Sequence, residues 1–176
     1  MTSLGEKILG VHRSLEAAAI PHAFGGALAL AWCTRQPRGT SDIDVNVFAP
    51  KTEVGRVLRA MPAEVVATDA DVRQLTADGQ ARLHWEATPV DVFLNTTPFH
   101  SAAASRARLE PFSGEMVPFL SCFDLAVFKA FFDRRRDWAD LEDMVVAATI
   151  DVDEVAAALA DHVGPHDARI GRLRSL

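Results

Sequence analysis

The segment RGTSDIDVNVF, residues 38–48, constrains the fold more than any other part of the chain, because it places two acids inside an apolar strand pattern. Apolar side chains alternate along it and predict a β-strand over 42–48 with one buried face, formed by Ile43, Val45 and Val47. Asp42 and Asp44 then share the opposite face, with their backbones roughly 6.5–7 Å apart. Two like charges on one face repel each other, and burial raises that cost unless a cation lies between them.

A divalent cation is the expected partner of Asp42 and Asp44. Two carboxylates at this separation can both reach one Mg²⁺, which typically takes one or two carboxylates together with substrate phosphates. Asp91 lies in a similar apolar segment, PVDVFL. If the two strands are neighbours, Asp91 completes a three-carboxylate cluster that can hold two metal ions, activate an attacking oxygen and stabilise a leaving pyrophosphate. The alternative is that each acid lies at a strand end and faces solvent.

The diglycine Gly25-Gly26 adds a feature of phosphate-binding sites. The segment HAFGGALALAW predicts a short strand, a Gly-Gly turn and a helix over about 26–34. The start of a helix presents unpaired N–H groups and a positive dipole end, and glycine lets a triphosphate come close to the backbone. A diglycine alone is a weak signal, but a diglycine followed at this distance by Asp-Ile-Asp is a strong one.

With these residues the chain resembles the nucleotidyltransferase superfamily, which has the DNA polymerase β-like fold. The superfamily signature is a Gly-Gly or Gly-Ser turn that opens a helix, an Asp-x-Asp strand, and a third Asp on a later strand. The matching positions are Gly25-Gly26, Asp42-Ile43-Asp44 and Asp91, with residues 27–41 between the glycines and the acids. The stretch from the glycines to the acids is especially similar to the minimal nucleotidyltransferases of bacteria and the AbiEii-type toxin branch.

A second segment, residues 118–144, is similar to a region of that branch in which a helix carrying a lysine is followed by Arg-x-Asp-x-x-Asp-Leu. Its sequence here is PFLSCFDLAVFKAFFDRRRDWADLEDM. The positions that match are Lys129, Arg136, Asp137, Asp140 and Leu141. The resemblance therefore covers roughly residues 23–144.

The resemblance implies an α+β fold with an αβαβ core, a mixed β-sheet and C-terminal helices. It also implies Mg²⁺-dependent transfer of a nucleoside monophosphate from an NTP such as ATP to an acceptor hydroxyl, with two metal ions and release of pyrophosphate. Asp42 and Asp44 would bind metal, and Asp91 would bind the second metal ion or act as a base toward the acceptor. Gly25 and Gly26 would hold the β- and γ-phosphates.

The residues outside the acid motif have alternative interpretations. The resemblance places Lys129 near the phosphates or the nucleotide, whereas an amphipathic helix could equally carry a lysine whose ammonium reaches solvent. Asp137 and Asp140 share a helix face, so they either orient Lys129 or cap the helix and pair with arginines. Arg35 and Arg38 precede the acids and either contact phosphate or are loop arginines without that role.

Periodicity and capping residues predict the remaining elements of one domain over residues 1–176, with Thr52, Asp69, Ser121 and Asp151 as the expected helix caps. Helices are predicted over 3–19, 53–60, 69–79, 121–134, 137–149 and 152–163, and strands over 64–68, 81–87 and 88–95, the last two as a hairpin. Four phenylalanines are expected to pack in a core: Phe123, Phe128, Phe131 and Phe132. The nucleotidyltransferase-like core is expected at about 20–95 and a helical portion at about 121–165.

The composition indicates a cellular location and limits the classes of binding partner. The 176 residues carry a formal net charge of −6, which argues against indiscriminate nucleic-acid binding. Cys33 and Cys122 have no CxxC spacing, so two reduced thiols in a cytoplasmic protein are expected, and a disulfide scaffold is disfavoured. The sequence shows no signal peptide and no apolar run of about 20 residues, so no membrane association is expected.

Two classes of function follow from these features. The first is an enzyme that binds an NTP and modifies an unidentified small molecule, protein or RNA; an aminoglycoside adenylyltransferase would be one subclass. The second is a catalytically silent nucleotide-binding regulator or toxin–antitoxin component with the same fold. An antitoxin partner and a homo-oligomer both stay open as assemblies of this chain. The intact set of three acids favours the enzyme.

Overall fold

The computed structural model describes residues 2–176. Within that range the strands are β1 (His22–Phe24), β2 (Ile43–Pro50), β3 (Val65–Val66), β4 (Gln80–Trp85), β5 (Thr88–Asn95), β6 (Arg108–Phe112) and β7 (Glu115–Phe119). The helices are α1 (Leu4–Ala17), α2 (Gly26–Thr34), α3 (Val54–Ala60), α4 (Asp69–Asp78), α5 (Pro98–Ala103), α6 (Cys122–Phe132), α7 (Arg135–Val146), α8 (Val152–Val163) and α9 (Ala168–Leu173).

All of these strands belong to the first of two compact units, which comprises the described residues up to Leu28 together with Gly39–Leu120. In this part of the described chain, seven strands form one sheet in the order β3-β4-β5-β2-β1-β7-β6. The pairs β2–β5 and β1–β7 are parallel, and the other neighbouring pairs are antiparallel. The predicted mixed sheet and the predicted hairpin of β4 and β5 are therefore confirmed.

One face of the sheet is apolar because each central strand alternates. The inward side chains of β2, β4 and β5 are buried: Ile43, Val45, Val47, Ala81, Leu83, Trp85, Val90, Val92 and Leu94. Helix α1, which the periodicity predicted, begins at a capping box formed by Ser3 and Glu6. Lys7 of α1 is buried, and its Nζ donates to Trp85 O and Thr88 Oγ1, both at 3.0 Å. This lysine fastens α1 to the turn between β4 and β5.

The second unit, Ala29–Arg38 and Ser121–Leu176, is helical. Ser121 caps α6 and Asp151 caps α8, as predicted. The prediction that Phe131 and Phe132 pack in a core is wrong, because they are 44% and 37% exposed. They lie in the last turn of α6, where arginine side chains cover their rings instead: Arg169 over Phe131 and Arg134 over Phe132.

The prediction of two reduced thiols is also wrong, because Cys33 and Cys122 form a disulfide with their Cα atoms 5.6 Å apart. The two cysteines are separated by 89 positions, so no local motif announces the pair. The second unit brings them together, since α2 carries Cys33 near its end and α6 begins at Cys122. Disulfides persist mainly in oxidising surroundings, so cysteine usage no longer supports a cytoplasmic location.

The elements also differ from the predictions at several boundaries. A 3₁₀ turn over Lys51–Glu53 precedes α3, so Thr52 does not cap that helix. Thr68 rather than Asp69 caps α4, in a capping box with Asp71. Four elements were not predicted: α5, β6, β7 and α9. Among residues 2–176, no helix combines the length and the apolar character needed to cross a membrane.

Candidate active site

Three charged side chains of the first unit lie in one row across neighbouring strands. Asp44 of β2 is the register partner of Asp91 of β5, and Asp91 is the register partner of Arg82 of β4. Register partners project from the same face of a sheet, opposite here to the buried apolar face. We call Asp44, Asp91 and Arg82 the cross-strand row. The structure therefore brings together the second and third predicted acids.

Asp42 lies immediately before β2 and two residues before Asp44, so it approaches the row from the end of the strand. The hydroxyl of Thr40 donates to the carboxylate of Asp42. Both residues are half-buried. The hydrogen bond from Thr40 orients the Asp42 carboxylate within the loop that precedes the strand.

Arg82 holds Asp91 in a two-pronged ion pair. Its Nε donates to Asp91 Oδ1 and its Nη2 donates to Asp91 Oδ2, both at 2.7 Å. The hydrogen bonds and the charge of Asp91 raise the pKa of Arg82, and the charges of Asp42 and Asp44 raise it further. The positive charge of Arg82 thus acts on all three acids. Sequence reasoning treated Arg82 only as an exposed strand position.

The diglycine turn places Asp44 against the start of α2. The N–H of Gly25 donates to Asp44 O at 2.9 Å, which ties the turn to β2. Gly26 opens the helix with φ +53, and a Cβ there would lie 1.9 Å from Asp44 Oδ2. The space that a side chain at position 26 would fill is therefore occupied by the Asp44 carboxylate. A negative charge is favoured beside the first turn of a helix.

Asn46 is a further polar residue of this region that sequence reasoning missed. It follows Asp44 by two positions, so it projects from the same face of β2, and it is only 5% exposed. A Cβ on Gly25 would lie 3.0 Å from Asn46 Nδ2. The two-residue period that groups Asp42 with Asp44 would have included Asn46 as well.

The other predicted site residues come together in the second unit. Lys129 Nζ lies 2.6 Å from Asp140 Oδ2 and 3.6 Å from Asp137 Oδ1, and all three residues are buried. Asp140 also binds Arg38, while Asp137 binds Arg134 and accepts its backbone N–H at the start of α7. Asp137 and Asp140 therefore both contact Lys129 and both pair with an arginine, as the two alternative interpretations proposed separately. The lysine does not reach solvent, because its ammonium ends on two buried carboxylates.

Whether this region could bind magnesium depends on which of its acids could serve as metal ligands. Among residues 2–176, no three or more His, Cys, Asp or Glu side chains are grouped so that they could hold a metal ion. Both oxygens of Asp91 bind Arg82 instead. Asp42 and Asp44 are the other two hard oxygen donors of the region, and Mg²⁺ commonly takes only one or two carboxylates. A magnesium ion at that pair therefore stays a prediction.

Comparison with known proteins rests on structure. No protein-family model matches the chain, and no curated protein matches it by sequence. The solution structure of the antibiotic-resistance factor ANT(2'')-Ia matches with a TM-score of 0.63 and 12% identity, over 98% of this chain and 97% of that one. A nucleotidyltransferase-like protein from Paracoccidioides brasiliensis matches with a TM-score of 0.55 and 14% identity, over 97% and 92%.

The chain has the nucleotidyltransferase fold. The diglycine turn opens α2, and Asp44 and Asp91 are register partners on neighbouring strands; their roles stay predictions. At 12–14% identity the likeness concerns the fold alone. It does not single out the AbiEii-type branch.

Proposed function

We propose that the protein transfers a nucleoside monophosphate from an NTP to an acceptor hydroxyl in an Mg²⁺-dependent reaction that releases pyrophosphate. The observation that carries this proposal is the packing of Asp44 against the diglycine turn at the start of α2, with Asp91 beside it on the neighbouring strand. Carboxylates on one sheet face repel each other, and a cation relieves that repulsion: Arg82 does so for Asp91, and Mg²⁺ would do so for Asp42 and Asp44. The nucleotidyltransferase fold supports the same chemistry.

The reaction exchanges one phosphorus–oxygen bond for another. The acceptor oxygen bonds to the α-phosphorus, the bond from that phosphorus to the bridging oxygen of the β-phosphate breaks, and pyrophosphate leaves with the electron pair. Mg²⁺, held by Asp42 and Asp44, would neutralise phosphate charge and stabilise the leaving group. The first turn of α2, beginning at Gly26, would lie beside the phosphates, because the start of a helix leaves backbone N–H groups without partners inside the helix.

In this proposal Asp91 accepts the proton of the acceptor hydroxyl. Each of its oxygens accepts one hydrogen bond from Arg82, and a carboxylate oxygen has a second lone pair. The remaining lone pairs can accept the proton of the attacking hydroxyl. The two-pronged pair with Arg82 supports this role over that of a second metal ligand, because both oxygens are already directed at the guanidinium.

A second candidate function is nucleotide binding without transfer, in a regulatory protein or in the toxin–antitoxin setting of the AbiEii-type branch. The observation that favours it is the same ion pair, because both oxygens of Asp91 already accept hydrogen bonds from Arg82. A measurement of catalytic turnover distinguishes nucleotidyl transfer from nucleotide binding without transfer.

The test is transfer of label from each α-³²P-labelled NTP, with Mg²⁺, to protein, RNA and metabolite fractions of a cell extract. A panel of hydroxyl-bearing antibiotics belongs among the acceptors, because one similar structure is that of an antibiotic-resistance factor. We expect transfer by the wild type and a loss of about 100-fold or more in Asp44→Asn, since the charge that holds the metal is removed.

The matched control is Asp161→Asn, an acid-to-amide change at an exposed position of α8, which should transfer label at the wild-type rate. Transfer that survives in Asp44→Asn would contradict the proposed enzyme. Binding of Mg-NTP without transfer to any fraction would instead support the regulatory candidate.

A further inference from the structure

The position of Arg82 in the sheet is set by a short hairpin. Strands β4 and β5 are joined by Glu86 and Ala87, with Trp85 opposite Thr88, and this register places Arg82 opposite Asp91. A slip of one residue would turn the apolar residues of β4 to the other face, so the register is strongly held. The register of the hairpin therefore places the Arg82 guanidinium beside Asp91, and this placement does not depend on a loop.

A second divalent ion would compete with Arg82 for Asp91. Arg82 carries a positive charge that does not titrate in the working range of proteins. An ion at Asp91 would have to take that carboxylate from two hydrogen bonds of 2.7 Å to the guanidinium.

Arg82 also keeps donors for a substrate. A guanidinium has five N–H groups, and Asp91 uses one on Nε and one on Nη2, which leaves three. The side chain is 56% exposed, so those donors reach solvent on the same sheet face as Asp44 and Asp91. Arginine binds phosphate oxygens well because its donors form a planar fork.

We propose that Arg82 takes the place of a second divalent cation: the site binds one metal ion at Asp42 and Asp44, and the Arg82 guanidinium holds Asp91 and contacts the phosphates of the nucleotide. This inference rests on the proposed function and deepens it, because it gives Arg82 the role that a second metal ion would have. Arg82 is thus a charge-supplying residue of the site, bound to Asp91 rather than to the metal.

The test counts Mn²⁺ ions bound per chain, from the electron paramagnetic resonance signal of free Mn²⁺ during titration of the full-length protein with Mn²⁺ alone. Mn²⁺ replaces Mg²⁺ at oxygen ligands and is directly visible. We expect one ion for the wild type and two for Arg82→Gln, because the freed Asp91 becomes a ligand. The double variant Arg82→Gln/Asp91→Asn should return to one, and Arg82→Lys, which keeps the charge, should stay at one.

The matched control is Arg13→Gln, which removes another exposed arginine of an ion pair in the first unit and should bind one ion. Circular dichroism and thermal melting of each variant show whether it is folded. Two ions on the wild type, or one on folded Arg82→Gln, would overturn the inference while leaving a metal-dependent function intact. No Mn²⁺ on any of the proteins would overturn the metal-dependent function and the inference with it.

Discussion

At the scale of single residues, Gly26 shows why the diglycine is needed in this fold. Its φ of +53 lies in the left-handed region, which residues with a Cβ rarely adopt. Its α-carbon also faces the Asp44 carboxylate, which fills the volume of the missing side chain. The glycine thus serves two purposes at once: it allows the turn into α2, and it allows Asp44 to lie against the start of that helix.

Gly26→Ala is expected to lower the free energy of unfolding by about 1–3 kcal/mol, from the strained backbone and the collision with Asp44. Urea unfolding followed by circular dichroism measures this change. The control is Gly39→Ala, since a Cβ on Gly39 would meet nothing within 4 Å. Equal stability of the two variants would contradict the close contact of Gly26 with Asp44.

At the scale of elements, the second unit is held together by pairs of helices joined through side chains. Lys129 of α6 binds Asp140 and Asp137 of α7 in the interior. The disulfide from Cys33 to Cys122 joins α2 to the first turn of α6. A buried ion pair adds little net stability, whereas a disulfide that closes a long loop removes much of the freedom of the unfolded chain.

Reduction of this disulfide is expected to lower the free energy of unfolding by about 2–4 kcal/mol, since it closes a long loop. The measurement is urea unfolding with and without a phosphine reductant, together with titration of thiols in the denatured protein. The control is Cys33→Ala/Cys122→Ala, whose stability should not respond to the reductant. Two free thiols in protein purified without reductant would show that the bond does not form.

At the scale of the whole molecule, acidification should destabilise the fold in two stages. His22 is buried, and burial lowers its pKa; its Nδ1–H donates to Ile20 O, so its Nε2 accepts from His12 Nδ1 at 2.9 Å. Several carboxylates that accept hydrogen bonds have lowered pKa values too: Glu6, Asp71, Glu86, Glu115 and Asp167, the last at about 2.

Protonation of His22 and protonation of the carboxylates both lower the stability of the fold, because at each of these groups the unfolded chain takes up a proton at a higher pH than the folded one. We expect stability to be complete above about pH 6.5, to fall first as unfolded His22 is protonated, and to fall again below about pH 4.5 as the carboxylates are protonated. The urea midpoint measured from pH 8 to pH 3 checks this.

The variant His22→Gln tests the first stage, since it removes the titrating ring while leaving the carboxylates unchanged. Its stability should be flatter than that of the wild type between pH 6.5 and pH 5, whatever its absolute value. A wild-type midpoint that rises as the pH falls through this interval would contradict the buried, neutral histidine.

Several features of this protein were readable from the sequence because their causes are local. Alternation of apolar residues located β2, β4 and β5 and their buried face, helical periodicity located α1, and the caps Ser121 and Asp151 located the starts of α6 and α8. The same alternation put Asp44 on the face opposite the buried one. The hairpin of β6 and β7 was missed because Pro111 and Pro118 weaken a strand signal, and such prolines are tolerated near a sheet edge, where β6 lies.

What the sequence determined by itself is most of the strands and helices, the face of β2 on which Asp44 lies, and the glycine turn ahead of it, because these depend on neighbours within a few positions. Only the tertiary structure decided that Arg82 holds Asp91, that Cys33 meets Cys122, and that Lys129 is enclosed by two acids. Each of these pairs joins different elements. Partners of that kind are selected by the packing of whole elements, which sequence position alone does not determine.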